Sequence, residues 1–269
     1  DILAVPGMLF AAGHVKNDLP SELHEFAEQH PEVRIRMGRD LSIDPKLLRA
    51  AADRIEAAWE RVSESSPEIE RKDSLLLVVG RGTSDPDANG NVAKVARMLG
   101  EGLGFGFVDC AFSGVAHPRT GEALARWMRL EPKRVLVFPY FLFAGILVNR
   151  IRSETETIAA QFPNTEFVAV DYLGLHRLVV ESFIERIREI ETGDTAMNCQ
   201  LCKYRTRIVG YESEVGAVQQ GHHHHVRGTG HGHSHGHSHG HSHGHSHDNG
   251  DSNGHSHGHV HGPNCNHDH

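Results

Sequence analysis

The chain has 269 residues, 23% of them charged and 38% hydrophobic, with a formal net charge of -8. That balance excludes a fibrous, collagen-like or wholly disordered protein, and the acidic net charge argues against a general nucleic-acid binder, which needs a basic surface to neutralise phosphate. The longest apolar runs, Val135 to Phe138 and Ala144 to Val148, fall far short of the roughly 20 residues of a membrane span, so no membrane helix is expected.

The predicted elements begin with a short buried strand at Ile2, ending in a loop that contains Pro6. A helix over Ser21 to Gln29 follows, then a strand over Val33 to Met37 and a long amphipathic helix over Pro45 to Val62, with Leu47, Leu48, Ala51, Ile55, Ala58 and Val62 at helical spacing. Ser74 to Val79 reads as a fully apolar strand; the turn Gly80-Arg81-Gly82-Thr83-Ser84-Asp85, a helix running through Leu99 and a strand near Phe105 to Cys110 come next. The first pattern then returns: a strand at Val135, a loop with Pro139, a helix over Ser153 to Gln161, a strand over Glu166 to Val170 and a helix over His176 to Ile190. Leu3/Leu136, Pro6/Pro139, Leu9/Leu142, Phe10/Phe143, Ala11/Ala144 and Val15/Val148 coincide when the two stretches are aligned, so a half-domain occurs twice.

Alternating strands and helices predict an α/β fold with parallel sheets flanked by helices. The expected organisation is the C-terminal half of a first lobe over 1–72, a second lobe over 73–190, a cysteine-bearing segment over 191–220 and a disordered histidine-rich tail over 221–269. The second copy has a strand, turn and helix in front of it for which the first copy has no counterpart after Asp1. Asp1 is neither an initiator methionine nor the start of a signal-peptide pattern, so an upstream segment is expected. Half a sheet without its neighbour implies an apolar edge, and with it instability or repair by a homodimer.

Histidine is the compositional anomaly: all but five of 24 lie beyond residue 220. The tail repeats Gly-His-Ser-His and has almost no apolar side chain to bury, which predicts disorder. Its imidazoles, among them His222, His223, His224, His225, His231, His233 and His235, suit storage of cobalt, nickel, zinc or copper. An appended purification tag is the competing reading, and the irregular repeats broken by Asp248-Asn249-Gly250-Asp251 favour a native reservoir. Cys199 and Cys202 have metal or cluster spacing, and four cysteines are too few for a disulfide framework, which fits a reducing, cytoplasmic compartment.

Four segments in order carry a family resemblance. They are Val5-Pro6-Gly7-Met8-Leu9-Phe10-Ala11-Ala12-Gly13-His14-Val15-Lys16-Asn17-Asp18-Leu19-Pro20, the turn from Gly80 to Asn89, the Phe138-Pro139-Tyr140-Phe141-Leu142-Phe143-Ala144-Gly145 loop, and Met197-Asn198-Cys199-Gln200-Leu201-Cys202-Lys203-Tyr204-Arg205. Together they resemble the long CbiX type of the sirohydrochlorin cobaltochelatases, which are similar in fold to the class II chelatases: two α/β lobes facing each other across a cleft. The resemblance implies insertion of cobalt(II) into sirohydrochlorin without ATP, in cobalamin biosynthesis. It also implies two working histidines. His14 matches the one in the family's Gly-His-x-x-x-Asp segment as catalytic base and metal ligand, and the other, in a Gly-His-Gly-Ser turn, would lie upstream.

Loss of two pyrrole protons and of metal-bound water calls for a neutral imidazole that holds a cation and accepts protons near neutral pH. In the second copy Arg81 and Leu147 stand at the two histidine positions, and neither can do this. The second lobe is therefore expected to hold substrate: Arg81, Arg150 and Arg152 as clamps for the carboxylates of sirohydrochlorin, with Thr83 and Ser84 as donors. For the long CbiX members the resemblance further implies an iron-sulfur cluster on Cys199 and Cys202, with Cys265 and a tail histidine, or a second subunit, completing it; zinc and a redox-labile dithiol are the alternatives. Asp18 is expected to cap the helix near Pro20, His24, His30 and His117 to be surface residues, and Cys110 to be a buried small hydrophobe. Iron or nickel insertion into the same ring, and a non-enzymatic cobalt or nickel carrier acting through the tail, stay open as alternatives.

Overall fold

In the computed structural model, which describes residues 1–193, 201–207 and 209–217, strands and helices alternate into two parallel sheets. The smaller pairs β1 (Ile2–Ala4) with β2 (Ile35–Met37), Ile2 opposite Ile35. The larger contains β3 (Ser74–Gly80), β4 (Phe107–Phe112), β5 (Arg134–Pro139) and β6 (Glu166–Ala169) in the order β4-β3-β5-β6. Among the described residues six α-helices connect and cover the strands: α1 (Leu19–Gln29), α2 (Pro45–Ser63), α3 (Pro86–Leu103), α4 (Thr120–Trp127), α5 (Ile146–Ala159) and α6 (Arg177–Thr192). The unit Asp1–Val226 contains every described residue, and a second unit, Arg227–His269, lies outside them.

The central strands β3 and β5 are buried along their whole length, as a parallel sheet covered on both faces requires. Their period-2 alternation divides the core. Leu76, Val78, Leu136 and Phe138 point to one side, where they meet Leu47, Ala51 and Ile55 of α2 and Val92, Val95 and Leu99 of α3. Leu75, Leu77, Val135 and Val137 point to the other and meet Ala123 and Leu124 of α4 and Ile151 of α5. Arg134 crosses the end of the first layer with its side chain wholly buried: it bonds Glu166 at 2.7 Å, the Ser63 hydroxyl and the Ser66 carbonyl at 3.2 Å each, and stacks 4.5 Å from the Trp59 ring centre.

Both long closing helices reach the sheet of the other copy. By sequence α2 ends the first copy, yet its apolar face fills the core of the four-stranded sheet. Conversely α6, which ends the second copy, contributes Leu178, Val179 and Phe183 to the larger core and reaches the smaller sheet with its C-terminal end: the Ile190 side chain lies against Gly38, and Arg36 donates to the Ile190 carbonyl at 3.2 Å. Ion pairs sew α6 to the first half of the chain, Arg39 with Glu189 at 2.9 Å and Lys46 with Glu185 at 2.5 Å, while Arg186 reaches Asp44 at 3.6 Å. The two copies are thus interlocked around one join.

Two local readings differ from the sequence. Helix α5 begins at Ile146 rather than Ser153, because Gly145 ends the preceding loop and the apolar run Ile146-Leu147-Val148 forms a helical first turn that leaves Ile146 exposed. The connection from β4 to β5 contains α4, a short helix whose core contribution rests mainly on Ala123 and Leu124.

Candidate active site

Loops leave the carboxyl ends of β1 and β3 toward one another, the place where open α/β sheets bind ligands. The β1 loop, 5–13, is pinned on several sides. Leu41 and Ser42 donate backbone N–H groups to the carbonyls of Met8 and Leu9 at 3.0 and 2.8 Å, and Asp40 accepts from the Ala11 N–H at 2.9 Å. Phe10 stacks on Tyr140 of the other copy, ring centres 6.0 Å apart. Burial drives the Asp40 carboxyl above the usual aspartate range, a rise that the Ala11 hydrogen bond and the charge of Arg39 only partly offset.

From this fixed loop the backbone enters a single π turn, His14–Asp18, that runs directly into α1. Val15 is fully buried and anchors the turn, while the His14 side chain is 36% exposed. Nδ1 of His14 donates to Oδ2 of Asp18 at 2.6 Å, and the other carboxylate oxygen accepts from the Asn17 side-chain amide at 3.0 Å. This corrects the expectation that Asp18 caps α1: it occupies the cap position with helical dihedrals and makes no side-chain cap bond.

Lys16, on the same turn, crosses to the other copy. Its ammonium lies 2.7 Å from Asp85 and 3.3 Å from Asp87 at the start of α3, with only 3% of its side chain exposed. Burial alone would favour the neutral amine; the hydrogen bond and charge of Asp85, with the charges of Asp87 and Cys202, outweigh it and hold the Lys16 pKa above its ordinary value. Asp85 meanwhile caps α3 through the Asp87 N–H at 3.1 Å. One buried cation thus joins the His14 turn to the Arg81–Asp87 turn, a partnership that no local pattern announces because its members lie far apart in sequence.

Around that second turn the loops are zipped together. Ser113 and Gly114 donate to the carbonyls of Gly80 and Arg81 at 2.9 Å each, and Tyr140 donates to that of Val79 at 2.9 Å. Gly82 has a φ of 81° and its missing Cβ would fall 1.9 Å from the Gly114 carbonyl oxygen, so only glycine permits this closeness. Thr83 is held by Asn89, whose side chain bonds both its N–H and its carbonyl, at 3.1 and 2.8 Å; Ser84 and Arg81 are exposed. Arg150 donates to the Ser113 carbonyl at 3.2 Å and so stands on the same group of loops. Arg152, two residues on and therefore on the opposite flank of α5, turns to Asp171 at 3.5 Å. The structure links Arg81, Thr83, Ser84 and Arg150 and leaves Arg152 apart. Val115, Phe143 and Ile146 stand exposed on the same loops, Val115 at a φ of 59° that a β-branched residue rarely adopts.

Cys202 is buried, with the carbonyl accepting from Arg205 and Thr206, and its neighbour Lys203 lies over Tyr204 and Tyr211, 5.1 and 5.3 Å from the ring centres. Among the described residues no three His, Cys, Asp or Glu gather in a way that could hold a metal ion. Cys199, Cys265, His222, His223, His224, His225, His231, His233 and His235 lie outside the described residues. His24 and His117 are exposed and His30 is half-buried, as is Cys110, whose thiol pKa is raised first by burial and then by Asp109. No described helix is long and apolar enough to cross a membrane.

With this geometry in view, the comparisons with known proteins agree on one family. The sirohydrochlorin cobaltochelatase of Priestia megaterium is 34% identical over 209 residues, covering 78% of this chain and 67% of that protein. Among solved structures, SirB from Bacillus subtilis with Fe3+ superposes with a TM-score of 0.59 at 28% identity over 73% of this chain and 75% of that one. The sirohydrochlorin chelatase SirB from Bacillus subtilis subspecies spizizenii in complex with cobalt gives 0.55 at 29% identity, covering 72% of each chain. The CbiX family profile matches residues 1–58 and 75–190, and the chain therefore belongs to the CbiX family.

Proposed function

We propose that this protein is a sirohydrochlorin cobaltochelatase, a lyase-type enzyme that inserts Co2+ into sirohydrochlorin without ATP in the cytoplasmic synthesis of cobalamin. The observation that carries the reading is the His14–Asp18 pair on a turn locked by Lys16 to the opposing loop cluster, in a chain of the CbiX family. Sirohydrochlorin is a flat macrocycle bearing carboxylates. Arg81 and Arg150 supply cations for those carboxylates, and exposed Val115, Phe143 and Ile146 supply an apolar surface for the ring.

Co2+ enters as a substrate. With Nδ1 of His14 committed to Asp18, coordination falls to Nε2, a borderline ligand that holds a cobalt ion and lets it go. As the ring nitrogens displace the metal's remaining waters, two pyrrole protons leave: the imidazole released by the metal accepts one of them and solvent water the other. Metal and ring exchange charge without redox change: Co2+ enters and two protons depart.

The iron-sulfur reading of Cys199, Cys202 and Cys265 concerns residues of which only Cys202 is described. Among the described residues, buried Cys202 has no set of neighbours that would complete a cluster site. A homodimer would cover the mostly apolar groove beside the smaller sheet, formed by Pro20, Leu23, His24, Ala27, Ile35 and Met37. The tail is proposed to concentrate metal for the cleft.

The deciding experiment follows the tetrapyrrole absorption spectrum on addition of Co2+ to the full-length protein, to a variant lacking residues 221–269, and to His14→Ala. Metallation that survives loss of the tail and disappears in His14→Ala supports the enzyme. Metal-linked activity that vanishes with the tail and is indifferent to His14 would establish the carrier instead. Competition among Co2+, Fe2+ and Ni2+ in the same assay decides the metal.

A further inference from the structure

We infer that Asp18 is a positioning residue for metallation, fixing the ring and tautomer of His14 so that the metal meets Nε2. The inference rests on the reading of His14 as the metal ligand. Its starting point is a local rule that the sequence obeys and the structure breaks. Asp18 precedes Leu19-Pro20 at the start of α1, and aspartate there ordinarily turns its carboxylate onto the free N–H groups of the first helical turn. Here it does not: φ and ψ are -65° and -51°, already helical, and no side-chain cap bond forms. Helix α1 forgoes about 1 kcal/mol of capping.

The π turn is the reason. Leu19 donates its N–H to the His14 carbonyl, a five-residue step in place of the four of an α-helix, so the helical path starts ahead of Asp18 and carries its side chain onto the His14 face. The carboxylate then lies 2.6 Å from Nδ1. The side-chain exposures of the pair are unequal in an informative way: 10% for Asp18 and 36% for His14. Buried and held at its other oxygen by Asn17 at 3.0 Å, the carboxylate is fixed, while the ring it holds remains reachable. A carboxylate only accepts, so Nδ1 carries the proton and Nε2 is the nitrogen left unprotonated. Second partners of this kind orient metal-binding histidines, and their removal costs roughly 10–100-fold in metal affinity or activity.

A purely structural Asp18 predicts something different, and serine separates the two. Asp18→Ser keeps a good cap former and removes the carboxylate from His14; Asp18→Asn keeps an isosteric acceptor for the Nδ1 proton without the charge. Steady-state metallation by the full-length protein is measured at chelator-buffered free Co2+, so that metal held by the tail leaves the free concentration unchanged, together with thermal midpoints. The expected result for Asp18→Ser is a KM for Co2+ raised roughly 10–100-fold, with the KM for sirohydrochlorin and the thermal midpoint unchanged, and Asp18→Asn in between. Unaltered Co2+ kinetics, or losses that track a lowered midpoint and a raised sirohydrochlorin KM, would overturn the inference. Should the serine variant fail to fold, the asparagine variant decides alone. His14→Ala keeps the two readings distinguishable: if it metallates normally, the assignment of His14 itself falls, whereas if it is inactive and Asp18→Ser is unimpaired, only the role of Asp18 does.

Discussion

Replacing Lys16 with methionine removes a buried charge that joins the His14 turn to α3, and the structure sets the scale of the loss. The ammonium contacts Asp85 at 2.7 Å and Asp87 at 3.3 Å, and the three side chains are 3%, 3% and 13% exposed, so the two carboxylates left behind have little water to turn to. Deleting one partner of a buried pair costs about 3–5 kcal/mol, against about 0–1 kcal/mol for an exposed one. The positive end of α3 moderates the effect: Asp85 still accepts from the Asp87 N–H at 3.1 Å, a favourable charge–dipole contact of up to about 1 kcal/mol. The expected loss for Lys16→Met is therefore near 3 kcal/mol, read from urea denaturation of the full-length protein. Asp85→Asn keeps the cap, since asparagine caps as well as aspartate, and removes one stranded charge. The double variant should recover about 1–2 kcal/mol of the loss, the coupling expected of contacting charges. A loss below about 1 kcal/mol for Lys16→Met, or a double variant no better than the sum of the singles, would show that this pair behaves as a solvated one and does not lock the turn.

Asp40 carries a pH signature whose sign follows from its burial. A carboxyl whose pKa is raised in the folded state stabilises the fold below the ordinary aspartate value near 3.8, and that contribution is lost as pH rises through the elevated folded value. Asp40→Asn, which retains an acceptor for the Ala11 N–H, should gain thermal midpoint relative to the parent as pH is raised from about 4 to about 7; a gap that is flat or narrows refutes the assignment. At Gly82 a methyl group would meet the Gly114 carbonyl oxygen at 1.9 Å and suffer a φ of 81°. Gly82→Ala should cost more than the roughly 1–2 kcal/mol of the left-handed conformation and raise the KM for sirohydrochlorin through Arg81 without altering that for Co2+. Gly90→Ala, in α3 with nothing within 4 Å of the added carbon, is the control and should stabilise by about 0.5–1 kcal/mol.

Much of the fold was legible because apolar periodicity is a local property. The uninterrupted Leu75 to Val79 run announces a strand covered on both faces, and the spacing of Leu47, Ala51, Ile55 and Ala58 announces α2 almost to its ends. Periodicity says which face of a helix is apolar and nothing about what covers it. Hence the reach of α2 and α6 to the other copy's sheet could not be read: Ile55 fills the core of the four-stranded sheet, and Ile190 lies against Gly38. The late start assigned to α5 has a different origin. Ile146 and Val148 are β-branched and weak helix formers locally, but burial of Val148 and Ile151 decides for helix.

The site divides along the same line. His14 and Asp18 stand four residues apart, a spacing that already places two side chains on one helical face, yet the cap preference of aspartate pointed the other way. Deciding between cap and imidazole partner requires knowing that the backbone before Asp18 is already helical, and that depends on the π turn, which in turn is held by the burial of Val15. Lys16 carried no signal at all, since its meaning comes from Asp85 and Asp87, supplied by the second copy. The second copy has Leu147 where the first has His14, and from its first turn it presents Arg81 to solvent and a pair of carboxylates that fasten its neighbour in place. On the proposed function, the two copies would divide the labour: one half would touch the metal, and the other would hold both the His14 turn and the carboxylate-bearing ring.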